Sequence, residues 1–277
     1  MGRRGPGGGA VSDRDKPEGQ VLRGGASNRG AVVRFGDRVR RPRSPNSATV
    51  HRLLRHLHDV GFTGAPTLRD ADDDYEWLDY IDGEVAPSPP QPWCFDDAVL
   101  ASVGQLLAGF HRAVSGFVLE PHDVWGHQVP SRWSGSRVCH GDVVRSNVIM
   151  RNRRAWALID FDLCAPAQPV WEVACAARHW ILLRGEGPEG PADAVRVTAH
   201  RLAVFVDAFG LSHQGRELLI DAVLDAEALQ LTMLKSWVEQ GNPVYVQICN
   251  DGAPARIAQR VKWVTAHREL LTTAVMS

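Results

Sequence analysis

Between positions 20 and 42, short runs that alternate apolar and polar side chains are separated by glycine. They are Gln20-Val-Leu-Arg23, Ala31-Val-Val-Arg-Phe35 and Arg38-Val-Arg-Arg41, with Gly36-Asp37 between the last two. Period-two alternation bounded by turn residues predicts strands. The period then changes: Val50, Leu53, Leu54 and Leu57 share one helical face, opened by an Asn46-Ser47 cap and closed at Gly61. Pro66-Thr-Leu and Tyr75 to Ile81 return to strand patterning across the acidic Asp70 to Asp74 turn. The pattern predicts a small sheet with one helix.

After Asp82-Gly83 the composition shifts, and Pro87 to Pro92 forms a stiff connector unsuited to helix or central strand. A helix follows from about Phe95 to Val114, with Val99, Val103, Leu106, Leu107 and Phe110 on its apolar face. Asn147-Val-Ile-Met150 and Trp156-Ala-Leu-Ile159, joined by Arg151-Asn-Arg-Arg154, read as a hairpin. Helical patterns then run over 170–183, 192–209, 214–240 and 255–273. The expected division is a tail over 1–19, a sheet-bearing lobe over 20–83 and a mainly helical lobe over 84–277.

Composition narrows the classes of function. The chain has 277 residues and 44% hydrophobic content, enough for two lobes each with its own core. A net charge of -1 argues against a nucleic-acid or membrane-surface partner. The longest apolar stretch, Trp171 to Leu183, is interrupted by Glu172, Arg178 and His179 and is too short to span a bilayer. Cys94, Cys139, Cys164, Cys175 and Cys249 form no Cys-x-x-Cys pair, so neither a zinc cage nor a disulfide framework is predicted, and the expected setting is a reducing cytoplasm. Lys16, Lys235 and Lys262 are the only lysines.

The chemistry concentrates in Val138-Cys-His-Gly-Asp-Val-Val-Arg-Ser-Asn147 and Ala157-Leu-Ile-Asp-Phe-Asp162. The first segment places a carboxylate, Asp142, and a carboxamide, Asn147, on one short loop. The second puts Asp160 directly behind an apolar strand. A carboxylate can orient a hydroxyl and take its proton, and the remaining oxygens suit Mg²⁺, a hard cation that combines few protein ligands with phosphates and water. The set points to phosphoryl transfer.

With these motifs the chain resembles the aminoglycoside phosphotransferase family. The resemblance rests on His140-Gly-Asp142, Asn147, Ile159-Asp160, the Trp171-Glu-Val-Ala pattern and the Phe110-His-Arg-Ala segment, and it covers nearly everything after the tail. It implies an α+β, protein-kinase-like two-lobe fold: a small N-lobe antiparallel sheet with one helix, which binds nucleotide, and a larger, mainly helical C-lobe. It also implies ATP or another nucleoside triphosphate and Mg²⁺ as cofactors. Asp142 would be the catalytic base, with Asn147 and Asp160 as metal ligands. Gly24, Gly25 and Asn28 would lay backbone over the phosphates, and Asp79, Tyr80 and Ile81 would meet adenine. His140 would pin the loop by hydrogen bonds, while Asp162 is either an additional carboxylate of the site or a turn former.

The sequence also departs from the family. Kinases of this fold hold the α and β phosphates with a strand lysine paired to a helix glutamate. Here no lysine is in reach; Arg41 has the matching spacing, with Arg40 as its competitor if the register slips. The helix has no glutamate and offers His51, so the usual ion pair is expected to be missing. Arg145 either touches the transferring phosphoryl group or faces a surface acid. Trp171, Trp180, Trp237 and Trp263 either line a pocket or belong to the core.

The leading reading is transfer of the γ-phosphoryl group to a hydroxyl of a small molecule, an antibiotic or other metabolite. An alternative is a kinase for Ser or Thr of a peptide precursor in lanthipeptide-like biosynthesis, with a protein partner if it works in a complex. A third is a catalytically weak pseudokinase or immunity-type nucleotide-binding protein.

Overall fold

The computed structural model describes residues 19–22, 31–181, 183 and 193–277. The tail over 1–18 and the glycine segment over 23–30, with Gly24, Gly25 and Asn28, lie outside the described residues. Strands β1 (Gln20–Val21), β2 (Val33–Phe35), β3 (Arg38–Pro42), β4 (Leu68–Ala71) and β5 (Tyr75–Asp79) build one antiparallel sheet in the order β1-β2-β3-β5-β4. Helix α1 (Ser47–Asp59) lies between β3 and β4 in the chain. Its predicted stripe is the buried one: Val50, Leu53, Leu54 and Leu57 are each at most 1% exposed.

Asn46 does not cap α1 with its side chain. Its Nδ2 instead donates to the Asp162 carbonyl at 2.9 Å, while its Oδ1 accepts from Ser44. The start of α1 is thereby tied to the segment that carries Asp160.

After β5 the chain leaves this sheet, and β6 (Glu84–Val85) joins the hairpin strands β8 (Val148–Arg151) and β9 (Arg154–Leu158) in a second sheet. The hairpin turn falls where the sequence places it. Asn152 and Arg153 have φ of 50° and 57°, and two positive values in succession match the right-handed twist of the flanking strands. A small third sheet, β7 (Arg137–Cys139) with β10 (Ala165–Ala167), was not evident in the sequence, because strands of three residues are too short to show a period.

Helices α2 (Asp97–Ala113), α3 (Pro169–Trp180), α4 (Ala194–Phe209) and α5 (His213–Glu239) form the larger part, α2 against α4 and α3 against α5. Phe110, Trp133, Trp171, Trp180 and Phe205 are fully buried there. Two helices differ from the expectation. The C-terminal pattern divides into α7 (Ala253–Ala266) and α8 (Arg268–Met276) at His267, whose Nδ1 lies 2.8 Å from the Trp263 carbonyl and competes locally with the helical ladder. Helix α6 (Pro243–Asn250) was not anticipated, although Asn242 followed by Pro243 is its signal: the Asn242 Oδ1 accepts from the Val244 N–H, and proline suits the first turn.

The five cysteines are free thiols, four of them buried. Among the described residues no helix is long and apolar enough to cross a membrane.

Candidate active site

The loop after β7 is held from behind by a buried acid. Glu172, on α3 and fully buried, accepts from the backbone N–H groups of His140 and Gly141 with its two oxygens, and its Oε2 also faces His111 Nε2 at 3.4 Å. Burial pushes the Glu172 carboxyl up, but the hydrogen bond and charge of His111 together with His140 outweigh it and leave the pKa below the usual carboxylate value. His111, Cys139 and Glu172 approach one another closely enough to suggest a metal. The Glu172 oxygens, however, are already committed to the loop.

Gly141 is required by the turn. Its φ is +76°, and a Cβ there would come within 2.5 Å of the Leu163 carbonyl oxygen and 2.8 Å of His127 Cε1. His140 acts as the sequence predicts. Its Nε2 donates to the Ile159 carbonyl at 3.1 Å, its Nδ1 accepts from the Asp142 N–H at 3.3 Å, and its ring lies 4.6 Å from that of Phe161. One imidazole thus fastens the loop to the strand end that carries Asp160. His127, not singled out in the sequence, clamps the same junction through Nδ1 to the Leu163 carbonyl at 2.6 Å, and burial lowers its pKa.

Asn147 orients Asp142. Its Nδ2 donates to Asp142 Oδ2 at 2.9 Å and to the Asp142 carbonyl at 3.1 Å, which turns its own Oδ1 away as the atom able to hold a cation. Burial raises the Asp142 pKa; His140, Arg178 and the Asn147 hydrogen bond act against this, and the charge of Asp160 adds to it. An elevated pKa makes Asp142 a stronger proton acceptor.

Asp160 follows β9 in a left-handed conformation, φ 66° and ψ 69°, uncommon outside glycine. Arg41 reaches it from β3. The Arg41 guanidinium donates to Glu76, to Asp160 Oδ1 at 3.2 Å and to Asp162 Oδ1 at 2.8 Å. Burial works against the Arg41 charge, yet Asp162, Glu76 and Asp160 prevail and raise its pKa.

The expected absence of an ion pair needs correction. Glu76 comes from β5, directly opposite Arg41 in the register, and its other oxygen binds His51 of α1. The glutamate is on the neighbouring strand, and the helix supplies a histidine to it. Arg40 projects from the other face, its guanidinium 4.7 Å from the Tyr75 ring, which leaves Arg41 as the cation on the site side.

Other residues singled out in the sequence are distributed unevenly. Asp162 joins the charged cluster, and burial raises its pKa against the pull of Arg41. Arg145 opens a short 3-10 turn and lies 5.7 Å from the Phe95 ring and 5.8 Å from the Trp180 ring; it lines an adjoining cavity rather than the one holding Asp142. At the interlobe segment the N–H groups of Asp79 and Tyr80 are taken by the Thr67 and Asp37 carbonyls, so backbone donation to adenine from these two positions is closed off.

Asp142, Asn147, Asp160 and Asp162 line one cavity of 340 Å³ that extends to α5 and α6. Of the four tryptophans in question, Trp171 and Trp237 line it. Trp180 is core, its Nε1 donating to the Val143 carbonyl at 2.8 Å, and Trp263 packs against the core beside His267. The arrangement offers a buried, oriented carboxylate for proton removal, hard oxygens suited to a divalent ion, and a buried cation among them.

Residues 122–203 match the model of the phosphotransferase enzyme family. Over 266 residues the chain is 28% identical to the trifolitoxin immunity protein of Rhizobium leguminosarum bv. trifolii, covering 89% of this chain and 95% of that protein. In structure it is similar to a choline/ethanolamine kinase family protein from Mesorhizobium loti, with a TM-score of 0.64 at 15% identity over 96% of this chain and 94% of the other. It is also similar to the amicoumacin kinase hAmiN in complex with AMP-PNP, Ca²⁺ and Ami (TM-score 0.61, 12% identity, 78% and 80% covered). A third similar structure is the gentamicin complex of the aminoglycoside phosphotransferase APH(2")-IIa (TM-score 0.56, 13% identity, 95% and 94% covered). The resemblance to the aminoglycoside phosphotransferase family and the kinase-like, two-lobe α+β fold are thereby borne out.

Proposed function

We propose that the protein is a kinase that transfers the γ-phosphoryl group of ATP, or another nucleoside triphosphate, to a hydroxyl of a small molecule. Residues 20–83 bind the nucleotide, and residues 84–277 carry the catalytic loop and the acceptor. The observation that carries this reading is the convergence of Asp142, Asn147 and Asp160 on one cavity. The family match over 122–203 contains all three, and the kinase-like neighbours support it.

In this reading Asp142 accepts the acceptor's proton, its carboxylate held in place by Asn147. The Asn147 Oδ1 and the Asp160 carboxylate are hard oxygens on the same cavity, a donor set that fits Mg²⁺. A magnesium ion held by these oxygens would neutralise part of the charge of the triphosphate. Arg41 takes the place of the family's lysine, with Glu76 and His51 behind it fixing its direction. Its fork exchanges part of its carboxylate contact for phosphate oxygens, a planar geometry that arginine matches well. The nucleotide base sits against Asp79, Tyr80 and Ile81, where the backbone donor falls to Ile81. Gly24, Gly25 and Asn28 remain assigned to the phosphates on the sequence resemblance.

The test is ATP turnover with Mg²⁺ against a panel of hydroxylated compounds and Ser- or Thr-containing peptides, read as phosphorylated product. Product that requires Asp142 supports the reading; absence of product across the panel, with ATP bound, supports a second one. That second reading is an immunity-type nucleotide-binding protein without turnover. It is favoured by the name of the relative from Rhizobium leguminosarum and by the engagement of Arg41 with Asp160 and Asp162. A peptide acceptor remains the alternative substrate of the kinase reading, and the peptide arm of the panel decides it.

A further inference from the structure

Behind Glu172, away from the catalytic loop, lies a cavity of 520 Å³ that shares no lining residue with the one holding Asp142. It is set among the last turn of α2, the start of β7, the end of α4 and the first turns of α3 and α5. Two helix N-termini therefore open onto it. The N–H groups of a first turn have no acceptor within their own helix, and the aligned peptide dipoles favour negative charge there. In α3 the Trp171 N–H goes to the Gln168 carbonyl, and in α5 the Gly215 N–H goes to the Ser212 hydroxyl. The Val170 and Gln214 N–H groups have no acceptor among the described residues. Ala108, Phe209, Leu211 and Leu218 add an apolar side.

Arg112 and Arg137 also line this cavity, and neither guanidinium has a hydrogen bond or ion pair with any described residue. The lining residues and their neighbours in the chain are all described; residues 182 and 184–192 connect the opposite ends of α3 and α4, roughly 24 Å away along the 16 residues of α4. His111 points to a ligand independently. It lines the cavity, is 3% exposed, and its Nδ1 has no partner. Its Nε2 faces the Glu172 Oε2 at 3.4 Å, and because an ionised carboxylate only accepts, Nε2 carries the proton of that contact. Nδ1 is then an acceptor on the neutral ring and a donor on the protonated one. A buried polar atom of this kind calls for a partner. A phosphate monoester meets it in either state, since with a second pKa of about 6 it offers both an O–H and anionic oxygens near neutrality. A carboxylate serves only the protonated ring.

We propose that this cavity binds a small organic phosphate monoester, with Arg112, Arg137 and His111 as its side-chain contacts and the first turns of α3 and α5 contributing N–H groups, and that its occupancy steadies the catalytic loop. An arginine fork matches a phosphate in shape as well as charge. The route to the loop is short. His111 meets Glu172, whose oxygens take the N–H groups of His140 and Gly141. Glu172 lies two residues beyond Val170 in α3, and β7 runs from Arg137 at the cavity to Cys139, next to His140. A partner at Nδ1 fixes the imidazole, and with it the carboxylate that anchors the loop. The site lies outside the phosphoryl-transfer cavity, so the inference does not depend on the kinase reading.

The test titrates phenyl phosphate, inorganic phosphate and benzoate calorimetrically into the full chain, with AMP-PNP and Mg²⁺ present to occupy the catalytic cavity. Phenyl phosphate is expected to bind roughly ten-fold more tightly than either of the others, and Arg112→Gln and, separately, Arg137→Gln should each weaken it by roughly ten-fold through loss of a charge-assisted contact. Thermal denaturation of each variant confirms that it folds, and the two variants cover for each other. Hydrogen exchange gives the second readout: phenyl phosphate should slow exchange at the His140 and Gly141 amides of the parent, and at the same concentration much less in the arginine variants. The proposal is overturned if phenyl phosphate does not bind, if it slows no exchange at those amides, or if both arginine variants bind it as the parent does, which is also the result if it enters the catalytic cavity instead. Inorganic phosphate or benzoate binding as tightly as phenyl phosphate would overturn the assignment to a monoester.

Discussion

Arg41 on β3 and Glu76 on β5 stand directly opposite each other across an antiparallel register, and their side chains form a buried ion pair. His51 of α1 binds the second Glu76 oxygen, so strand, strand and helix meet on one carboxylate. Breaking a buried pair by removing one partner leaves the other charge uncompensated, at a cost of about 3–5 kcal/mol. The same guanidinium reaches Asp160 and Asp162, which makes this pair the link between the sheet and the catalytic segment.

Arg41→Ala should therefore lower both stability and nucleotide affinity, the latter by about ten-fold or more for loss of a charge-assisted contact. Arg40→Ala, on the opposite face beside Tyr75, should change affinity little. Arg41→Lys should restore only part of the loss, because a compact ammonium cannot bridge the same acids. Titration of ATP with each variant, alongside thermal unfolding, checks this. Equal effects from the two alanine variants would remove Arg41 from the site.

Glu76 also sets an acid limit on stability. Burial alone would raise its pKa, but His51 and Arg41 bring it below the usual carboxylate value. A group depressed in the folded state contributes stability above its unfolded pKa and loses it as pH falls through the folded one. Denaturant unfolding should thus weaken below about pH 4, the ordinary carboxylate range. Glu76→Gln should flatten that part of the profile while lowering stability near neutrality. An unchanged acid limb in this variant would show that Glu76 does not cause it.

Much of this was legible along the chain, for identifiable reasons. The α1 stripe of Val50, Leu53, Leu54 and Leu57 and the hairpin around Asn152 are local patterns, and local patterns survive in sequence. Asp142, Asn147 and Asp160 could be read together because the motif keeps them close in the chain. Glu76 was missed because the search for a partner followed the helix, while the pairing is set by strand register, a non-local property. The clamp of His127 on the Leu163 carbonyl and the tie from Asn46 to Asp162 depend in the same way on tertiary placement, and neither residue type announces it.

Asp142→Asn preserves shape and removes the proton acceptor. Turnover should fall by about 10² to 10⁴ while nucleotide binding largely survives. Because burial raises the Asp142 pKa in the free protein, the acid limb of kcat/KM in the parent should be displaced upward from the ordinary carboxylate range, with activity lost as pH falls through it. Parent-like turnover in the variant would exclude Asp142 as the base.

Asp160→Ala separates two tasks that one carboxylate performs. It offers oxygen for a metal, and it shares Arg41 with Glu76 and Asp162. Removing it should abolish most of the tightening that Mg²⁺ gives to nucleotide binding, since Asn147 retains only a neutral oxygen. In EDTA the outcome should reverse: with one negative charge fewer beside the phosphates and Arg41 less heavily neutralised, metal-free ATP should bind at least as well as to the parent. Calorimetric titrations of a non-hydrolysable ATP analogue with and without Mg²⁺ measure both effects on the same variant. An unchanged Mg²⁺ dependence would count against Asp160 as a ligand. Weaker metal-free binding would instead mean that Asp160 helps to position Arg41 for the phosphates rather than competing for it.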